Sequence, residues 1–314
     1  MIVRLIREAP FPAASGPFQG QYVLQKALRR YGPAWLKIGG TLGAGEIPWF
    51  WCWEDAQAAC RCAAEGRPFI LGPNVLFHNS RRPRQFAHER LLCDAASCKL
   101  LLTESGWYRE LIARHLGPAN RAPIAVWPYP VLEAGRWELE VGDALARSAA
   151  GRVSVSPASS SQLLAPNSQL PSPISQLLVY AKSGFDEALL ARIERRFPGS
   201  MLLRYGRFRR EELLDAARGA RACVYFSDDD RGPLALAEIL LCGCPAVGVP
   251  RGAPWIEHGR NGAVVSGFDL DEILRGIALA MQVDRASVAA AARRRFCPRA
   301  VVRQIVTAIE GIEH

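Results

Sequence analysis

The sequence lacks the features that mark several large protein classes. No apolar run approaches the roughly 18 residues that a helix needs to span a bilayer, and the first residues lack the apolar core of a signal peptide. A G-x-S-x-G nucleophile elbow is missing, which leaves a hydrolase of that type without support. The glycine-rich stretch 39–45 has no lysine after its last glycine. It is therefore not a Walker A phosphate loop, and we interpret it as a flexible loop.

The cysteines do not form a zinc-binding or disulfide framework. There are 9 of them, an odd number, scattered along the chain. The pairs Cys60-Arg-Cys62 and Cys242-Gly-Cys244 are spaced too tightly for a zinc knuckle, and no histidine cluster accompanies them. Reduced, buried thiols in a cytosolic protein are the expectation.

Length and charge set broad limits on the fold and on the partners. A chain of 314 residues favours two domains. The net charge of +9 indicates an acidic partner, which could be nucleotide phosphates, an anionic membrane surface or nucleic acid. General arginine usage and solubility would explain the same charge equally well.

The most informative stretch runs from Ser227 to Gly262. Asp230 is followed eight positions later by a second acid, Glu238. Between them, Pro233 suits the start of a helix that should end at Gly243, a natural left-handed terminator. The N-terminus of such a helix offers unpaired N–H groups to a phosphate, and the Glu238 carboxylate could accept hydrogen bonds from sugar hydroxyls.

This stretch resembles the donor-binding half of GT-B glycosyltransferases, most closely glycosyltransferase family 4. The matching features are the two acids, the segment Cys242-Gly-Cys-Pro245 and the later segment from Gly252 to the Asn261-Gly262 turn. The family usually has glutamate as its first acid, followed by Gly-Phe-Gly. Here the first acid is Asp230, and Arg231-Gly-Pro follows it. The resemblance implies an α/β GT-B fold, with two Rossmann-like domains whose parallel sheets face each other across a cleft.

Alternation of apolar strands and amphipathic helices suggests the domain limits. An acceptor-binding domain is expected over 1–130 and a nucleotide-sugar-binding domain over 177–297. Residues 131–176 should be a linker with a flexible, low-complexity insertion, because 153–181 contains no charged residue. The last segment, 298–314, should be a helix that crosses back to the first domain. The aromatic cluster 47–53 is expected to pack in the core or between domains, although it could also line an acceptor cleft.

The resemblance implies roles for particular residues. Lys182 should bind the diphosphate, Glu238 the ribose and Asp230 the sugar hydroxyls. The predicted catalytic residues are His78 (with His88 as the alternative histidine), Lys182 and Asp230. The predicted donor-binding residues are Lys182, Arg207, Ser227, Gly232, Pro233, Leu234, Ala235 and Glu238. The predicted acceptor-binding residues lie in the first loop and are Gly16, Phe18, Gln19 and Gly20.

The implied activity is that of a retaining, metal-independent hexosyltransferase. Its donor would be a UDP- or GDP-linked sugar, with no further cofactor and no metal. The acceptor could be a glycan, a lipid-phosphate carrier, a small molecule or modified DNA. The expected location is the cytoplasm, with peripheral contact at the inner membrane face as an option.

Other functions remain open at this point. Asp228-Asp-Asp230 could be the metal-binding D-x-D motif of GT-A transferases. The basic runs 81–84 and 293–295 could contact nucleic acid, although neither belongs to a known DNA or RNA motif. A degenerate transferase that only binds sugars is a further alternative.

Overall fold

The computed structural model describes residues 1–6, 16–52, 55–74, 92–93, 95–117, 122–128, 130–131 and 177–313. We call residues 1–131 the first half and residues 177–296 the second half. His78, His88, the basic run 81–84 and nearly all of the predicted insertion (132–176) lie outside the described residues.

Each half contains one sheet whose strands are all parallel. The strands of the first sheet are β1 Ile2–Leu5, β2 Leu36–Ile38, β3 Glu46–Cys52, β4 Phe69–Asn74, β5 Cys98–Thr103 and β6 Ile124–Val126. Those of the second sheet are β7 Leu177–Ala181, β8 Met201–Arg204, β9 Ala222–Phe226, β10 Ala246–Gly248 and β11 Gly262–Val264. The strand orders are β2-β1-β3-β4-β5-β6 and β11-β10-β9-β7-β8.

The helices connect these strands and cover both faces of each sheet. In the described part of the chain they are α1 Gly16–Tyr31, α2 Ala56–Ala64, α3 Gly106–Leu116, α4 Glu187–Arg196, α5 Arg210–Gly219, α6 Leu234–Leu241, α7 Leu270–Ala280, α8 Arg285–Phe296 and α9 Pro298–Glu310. A short 3-10 turn, Gly311–Glu313, follows α9. None of these described helices combines the length and apolar character that crossing a bilayer requires.

The second sheet is buried on both faces, as helices on either side of a parallel sheet require. Every residue of β7 and β9 is buried, and successive side chains point to opposite sides. Leu178 and Tyr180 pack with α5, α6 and α8, whereas Leu177 and Val179 pack with α4 and α7. This two-sided packing explains why these strands are continuous apolar runs in the sequence.

The aromatic cluster of the first half is a central strand. Trp49 and Trp51 of β3 pack with α1 on one face of the sheet, and Phe50 packs with α2 and α3 on the other. The expectation of core packing is confirmed for these three residues. The sequence analysis had not assigned a strand here, because Pro48 and a run of bulky aromatics hide the alternation.

The glycine stretch 39–45 is the connection from β2 to β3, and an ion pair fixes both of its ends. Arg4 donates to the carbonyl of Gly39 at 2.5 Å and forms a salt bridge of 2.5 Å with Glu46. The Glu46 carboxylate also accepts hydrogen bonds from Lys37 and from the backbone N–H of Gly43. This loop is therefore anchored at both ends, which the interpretation as a flexible loop had not anticipated.

Helix α9 packs against the first sheet although it follows the second half in the chain. Its buried residues Val301, Val302, Ile305 and Ile309 belong to the same core cluster as Val3. The backbone N–H of Val131 donates to the carbonyl of Phe296 at 3.0 Å, where the chain passes between the halves. The core of the first sheet is thus completed by residues that follow the second half in the chain.

One local expectation is corrected, and two further local features are new. Residues 16–20 form the first turns of α1, not a loop, because Pro17 is tolerated in the first turn of a helix. Residues 72–74 continue β4 and contain a cis Gly72–Pro73 peptide. Ser105 occupies the N-cap position of α3, but its side chain makes no capping hydrogen bond.

Candidate functional site

The candidate site lies at the carboxyl end of the second sheet. β7 ends at Ala181 and is followed by Lys182, and β9 ends at Phe226 and is followed by the acidic loop, which we define as residues 228–231. Helix α6 begins just after this loop. Because parallel strands place their carboxyl ends at one edge, a cation, a carboxylate and a helix N-terminus come together here, and ligands of open α/β sheets bind at such edges.

Lys182 and Asp230 form an ion pair at the centre of this edge. The Lys182 Nζ lies 2.6 Å from Asp230 Oδ2, and the two side chains are 27% and 13% exposed. The Lys182 ammonium also lies 5.2 Å from the centre of the exposed Tyr205 ring. The structure therefore brings together two of the three predicted catalytic residues, 48 positions apart in the sequence.

Two stacked tyrosines lie beneath the ion pair. The rings of Tyr180 and Tyr225 are parallel within 4° and 4.6 Å apart. Burial, with a further contribution from Asp230, raises the pKa of Tyr225 well above its ordinary value. The phenol therefore stays protonated, and it donates a hydrogen bond of 3.4 Å to Asp230 Oδ2.

The carboxylates of the acidic loop diverge. Asp230 pairs with Lys182, whereas Asp229 lies 3.4 Å from Arg251. The backbone N–H of Asp228 donates to the hydroxyl of Ser183 at 3.0 Å. Across the described ranges, no three His, Cys, Asp or Glu side chains are placed to share a metal ion. The D-x-D alternative, which needs converging carboxylates, is not supported by this loop.

Glu238 lies one turn into α6 and is paired with Arg210. The Arg210 Nε is 2.5 Å from Glu238 Oε1, and both side chains are mostly buried. The pKa of Glu238 is raised from its ordinary value, because the effect of burial exceeds the lowering by the charge and hydrogen bond of Arg210. The sequence analysis predicted Glu238 for the site but missed Arg210, which begins α5 and has no motif around it.

The start of α6 has the features of an anion site. Pro233 occupies the N-cap position and provides no side-chain cap, so the helix begins without a competing acceptor. Leu234 and Ala235 are the first two helical residues, and Gly232 lies in the bend before them. The positive end of the helix dipole therefore points from the same edge as Lys182.

Two predicted donor residues are placed less favourably. Ser227 is fully buried, and its carbonyl lies so close to Gly252 that an added Cβ there would be 1.5 Å away. Its side chain thus lies inside the protein, not on the surface of the site. Arg207 is exposed in the turn after β8, where its N–H donates to Arg204.

The predicted acceptor residues lie on the first turns of α1. The backbone of Gly16, Phe18 and Gln19 is helical, and Gly20 is buried. The side chains of residues 16–19 and the whole of His78 fall outside what the structure describes. The proposed roles of these residues accordingly stay predictions.

The first half reaches the acidic loop through the N-terminus of α3. The indole Nε1–H of Trp107 donates to the carbonyl of Asp230 at 3.2 Å. The guanidinium of Arg251 lies 5.0 Å from the centre of the Trp107 ring, and that of Arg231 lies 5.2 Å from the Tyr108 ring. Sequence reasoning missed all of these pairings, although Arg231 stands inside the motif it singled out.

Comparison with known proteins identifies the architecture. No protein-family model matches the sequence, and no curated protein matches it either. Among solved structures, a sucrose-phosphate synthase from Thermosynechococcus elongatus is 12% identical, covers 99% of this chain and 98% of its own, and has a TM-score of 0.61. The apo form of the lipopolysaccharide outer core galactosyltransferase WaaB is 13% identical, covers 99% of both chains, and has a TM-score of 0.61.

A third similar structure has a nucleotide in its name. A UDP-forming trehalose-phosphate synthase from Burkholderia xenovorans is 13% identical over 87% of this chain and 75% of its own, with a TM-score of 0.53. Likeness at these identities concerns the fold. Together with the two parallel sheets, it shows that the chain has the GT-B fold, as the resemblance to glycosyltransferase family 4 predicted.

Proposed function

We propose that the protein is a glycosyltransferase that moves a sugar from a nucleoside diphosphate sugar to an acceptor. The observation that carries the proposal is the Lys182–Asp230 pair beside the N-terminus of α6. A cation and a helix N-terminus suit a diphosphate, and a carboxylate suits sugar hydroxyls. The GT-B fold, shared with a galactosyltransferase and with a UDP-forming synthase, is consistent with this use of the edge.

The main chemical task of this site is to stabilise the leaving group. Breaking the bond between the sugar and the nucleotide leaves negative charge on the diphosphate, and fixed positive groups lower the barrier as that charge develops. Lys182 provides a full charge, and the backbone N–H groups of Leu234 and Ala235 add the partial charge of the helix end. We therefore expect transfer to proceed without a metal ion.

Asp230 holds Lys182 before the donor arrives and contacts the sugar afterwards. In this state the pair is neutral, so a diphosphate has to draw Lys182 away from the carboxylate. The carboxylate is then available to hydroxyl groups of the donor sugar. The Tyr225 hydroxyl remains a hydrogen-bond donor to Asp230 and keeps it oriented.

Glu238 is proposed to bind the ribose of the nucleotide. Arg210 holds one of its oxygens, which fixes the rotamer and favours the ionised form that accepts hydroxyl donors. Arg207, Gly232 and Pro233 are proposed to line the same donor site, and Ser227 to shape it from within the protein.

The finer features of the reaction follow from the family resemblance. We propose a retaining hexosyl transfer from a UDP- or GDP-linked donor, with His78 contributing from the first half. The acceptor would bind near 16–20 and could be a glycan, a lipid-phosphate carrier, a small molecule or modified DNA. The proposed location is cytoplasmic, with or without peripheral membrane contact.

Thermal-shift binding tests the proposal directly. UDP, GDP, ADP, dTDP and CMP are compared with and without EDTA on the wild type and on Glu238→Ala. A shift with one diphosphate that survives EDTA and disappears in Glu238→Ala would support the site and identify the base. Absence of any shift, or a shift that needs a metal and ignores Glu238, contradicts the proposal.

A further inference from the structure

We propose that four side chains form a latch across the cleft that positions Asp230. Trp107 and Tyr108 lie at the start of α3 in the first half, and Arg231 and Arg251 lie in loops of the second half. We call these four residues the cross-cleft latch. The role of Asp230 in catalysis rests on the proposed function, but the latch itself does not.

Both arginines place their charge over an aromatic ring of the other half. Arg251 lies 5.0 Å from the centre of Trp107, and Arg231 lies 5.2 Å from that of Tyr108. These distances are within the roughly 6 Å over which a cation is attracted to a ring face. Arg251 also pairs with Asp229 at 3.4 Å, so one arginine links the Trp107 ring to the acidic loop.

The backbone of Asp230 is held from both halves. Its N–H donates to the carbonyl of Arg251 at 3.0 Å, within the second half. Its own carbonyl accepts the 3.2 Å hydrogen bond from the Trp107 indole, which belongs to the first half. Opening the cleft would therefore remove the Trp107 bond and both cation–ring contacts, and leave the loop held by the second half alone.

The position of the acidic loop matters because the Asp230 side chain is proposed to contact the reacting groups. A displacement of about 1 Å in a positioned group can cost on the order of 100-fold in rate. None of the four latch residues is among the proposed donor-binding residues, so their loss should reduce turnover more than donor affinity. Trp107 is in this sense a positioning residue, coupling closure of the cleft to the geometry of Asp230.

The latch is tested by hydrogen–deuterium exchange over 227–233 together with small-angle scattering of the full chain. Trp107→Phe keeps a ring for Arg251 but removes the N–H, and Trp107→Ala removes both. Arg109→Ala, an exposed position of the same helix, is the matched control. We expect exchange in the acidic loop to rise roughly 5-fold in Trp107→Phe, the effect of one net hydrogen bond. In Trp107→Ala the small-angle scattering should also indicate a more open chain. Arg109→Ala should change neither the exchange rate of the acidic loop nor the scattering.

A purely structural role would give a different result. If Trp107→Ala lowers the melting temperature but leaves loop exchange and scattering at wild-type values, the latch is refuted. With UDP-glucose or GDP-mannose as donor, Trp107→Phe should lower kcat several-fold and leave KM unchanged. A several-fold rise in KM with no loss of kcat would overturn the positioning role. If wild type binds no nucleotide, the proposed function fails, and the exchange and scattering data still decide the latch.

Discussion

Two short ion pairs, one in each half, look alike in distance but differ in their surroundings. Arg4 and Glu46 are 2.5 Å apart, and Lys182 and Asp230 are 2.6 Å apart. Arg4 also donates to Gly39, and Glu46 accepts from Lys37 and Gly43, all within the protein. Among the described residues, the only further hydrogen bond to either side chain of the second pair is the long one from Tyr225.

The difference separates a structural pair from one that can exchange its partner. A carboxylate and a guanidinium that already use most of their hydrogen-bonding positions gain nothing from a ligand. Lys182 has three donor hydrogens and faces the edge of a sheet, where a phosphate could replace Asp230. The number of protein hydrogen bonds is therefore a better guide to function than the length of the salt bridge.

Breaking the first-half pair should have the largest effect on stability. Glu46→Gln leaves Arg4 mostly buried without a compensating charge and loosens both ends of the β2–β3 connection. We expect the melting temperature to fall by several degrees, measured by calorimetry. Nucleotide binding at low temperature should be unchanged. If Glu46→Gln lost as much nucleotide binding as a donor-site variant does, the proposed difference between the two pairs would be wrong.

Removing the cation of the second pair should affect binding more than stability. Lys182→Ala deletes the proposed phosphate ligand, and a hydrogen bond to a charged group accounts for roughly a 10- to 100-fold change in affinity. Titration calorimetry with the nucleoside diphosphate that binds the wild type measures the change in Kd. Unaltered affinity would show that Lys182 is not a phosphate ligand.

Removing the carboxylate of the same pair should separate binding from transfer. Asp230→Asn frees Lys182 from its charged partner. We expect the Kd of the bare nucleoside diphosphate to fall about 3- to 10-fold, because a partly exposed ion pair contributes on the order of 1 kcal/mol. Transfer from the nucleotide sugar should fall at the same time. Misfolding would weaken both binding and transfer. Tighter binding of the diphosphate together with slower transfer, measured on one preparation, would therefore exclude misfolding as the cause.

Acid should reduce the stabilising effect of the first-half pair. The hydrogen bond from Arg4, with that from the Gly43 backbone, holds the pKa of Glu46 well below its ordinary range. Its contribution is therefore complete above the unfolded pKa of about 4.3 and declines as the pH falls toward the folded value. The difference in melting temperature between wild type and Glu46→Gln should be constant from neutral pH to about 5 and narrow below it. A difference that widens in acid would contradict this assignment.

An exposed pair should show the smallest effect. Arg204 and Glu187 are 2.6 Å apart and make two parallel hydrogen bonds, but Glu187 is 73% exposed. Surface pairs of this kind contribute little, because water and salt screen them. Glu187→Gln should leave the melting temperature within about one degree of wild type. Glu187→Gln is the control for Glu46→Gln. Equal falls in melting temperature in the two variants would mean that burial does not determine how much an ion pair stabilises the protein.

The fold was largely accessible from the sequence, since most of its elements are strongly patterned. The apolar runs 177–181 and 222–226 are the strands β7 and β9, and the helix that begins after Pro233 ends before the terminator Gly243, as predicted. β3 was not predicted as a strand, because its alternation is hidden among aromatics. The anchored loop 39–45 was also missed, since the Arg4–Glu46 pair joins residues 42 positions apart.

The site was accessible only in part, for a similar reason. Lys182, Asp230 and Glu238 could be named because they stand at element ends within a recognisable order. Arg210 and Trp107 could not, because their partners lie 28 and 123 positions away and side-chain direction across a cleft leaves no local pattern. Motifs indicated the groups that are proposed to meet the ligand, and only the three-dimensional packing showed the residues that hold those groups in place.

The packing of α9 on the first sheet has a consequence for folding during synthesis. Four aliphatic residues of this helix complete the core of the first sheet, and full burial of such side chains contributes about 1.5–3 kcal/mol each. That sum rivals the net stability of a typical domain, about 5–15 kcal/mol. During synthesis, the first half therefore emerges from the ribosome with one face of its sheet covered only in part, by α1. The 179 residues from 132 to the end of α9 at Glu310 must be added before that face is complete, so chaperone demand should concentrate on the early chain.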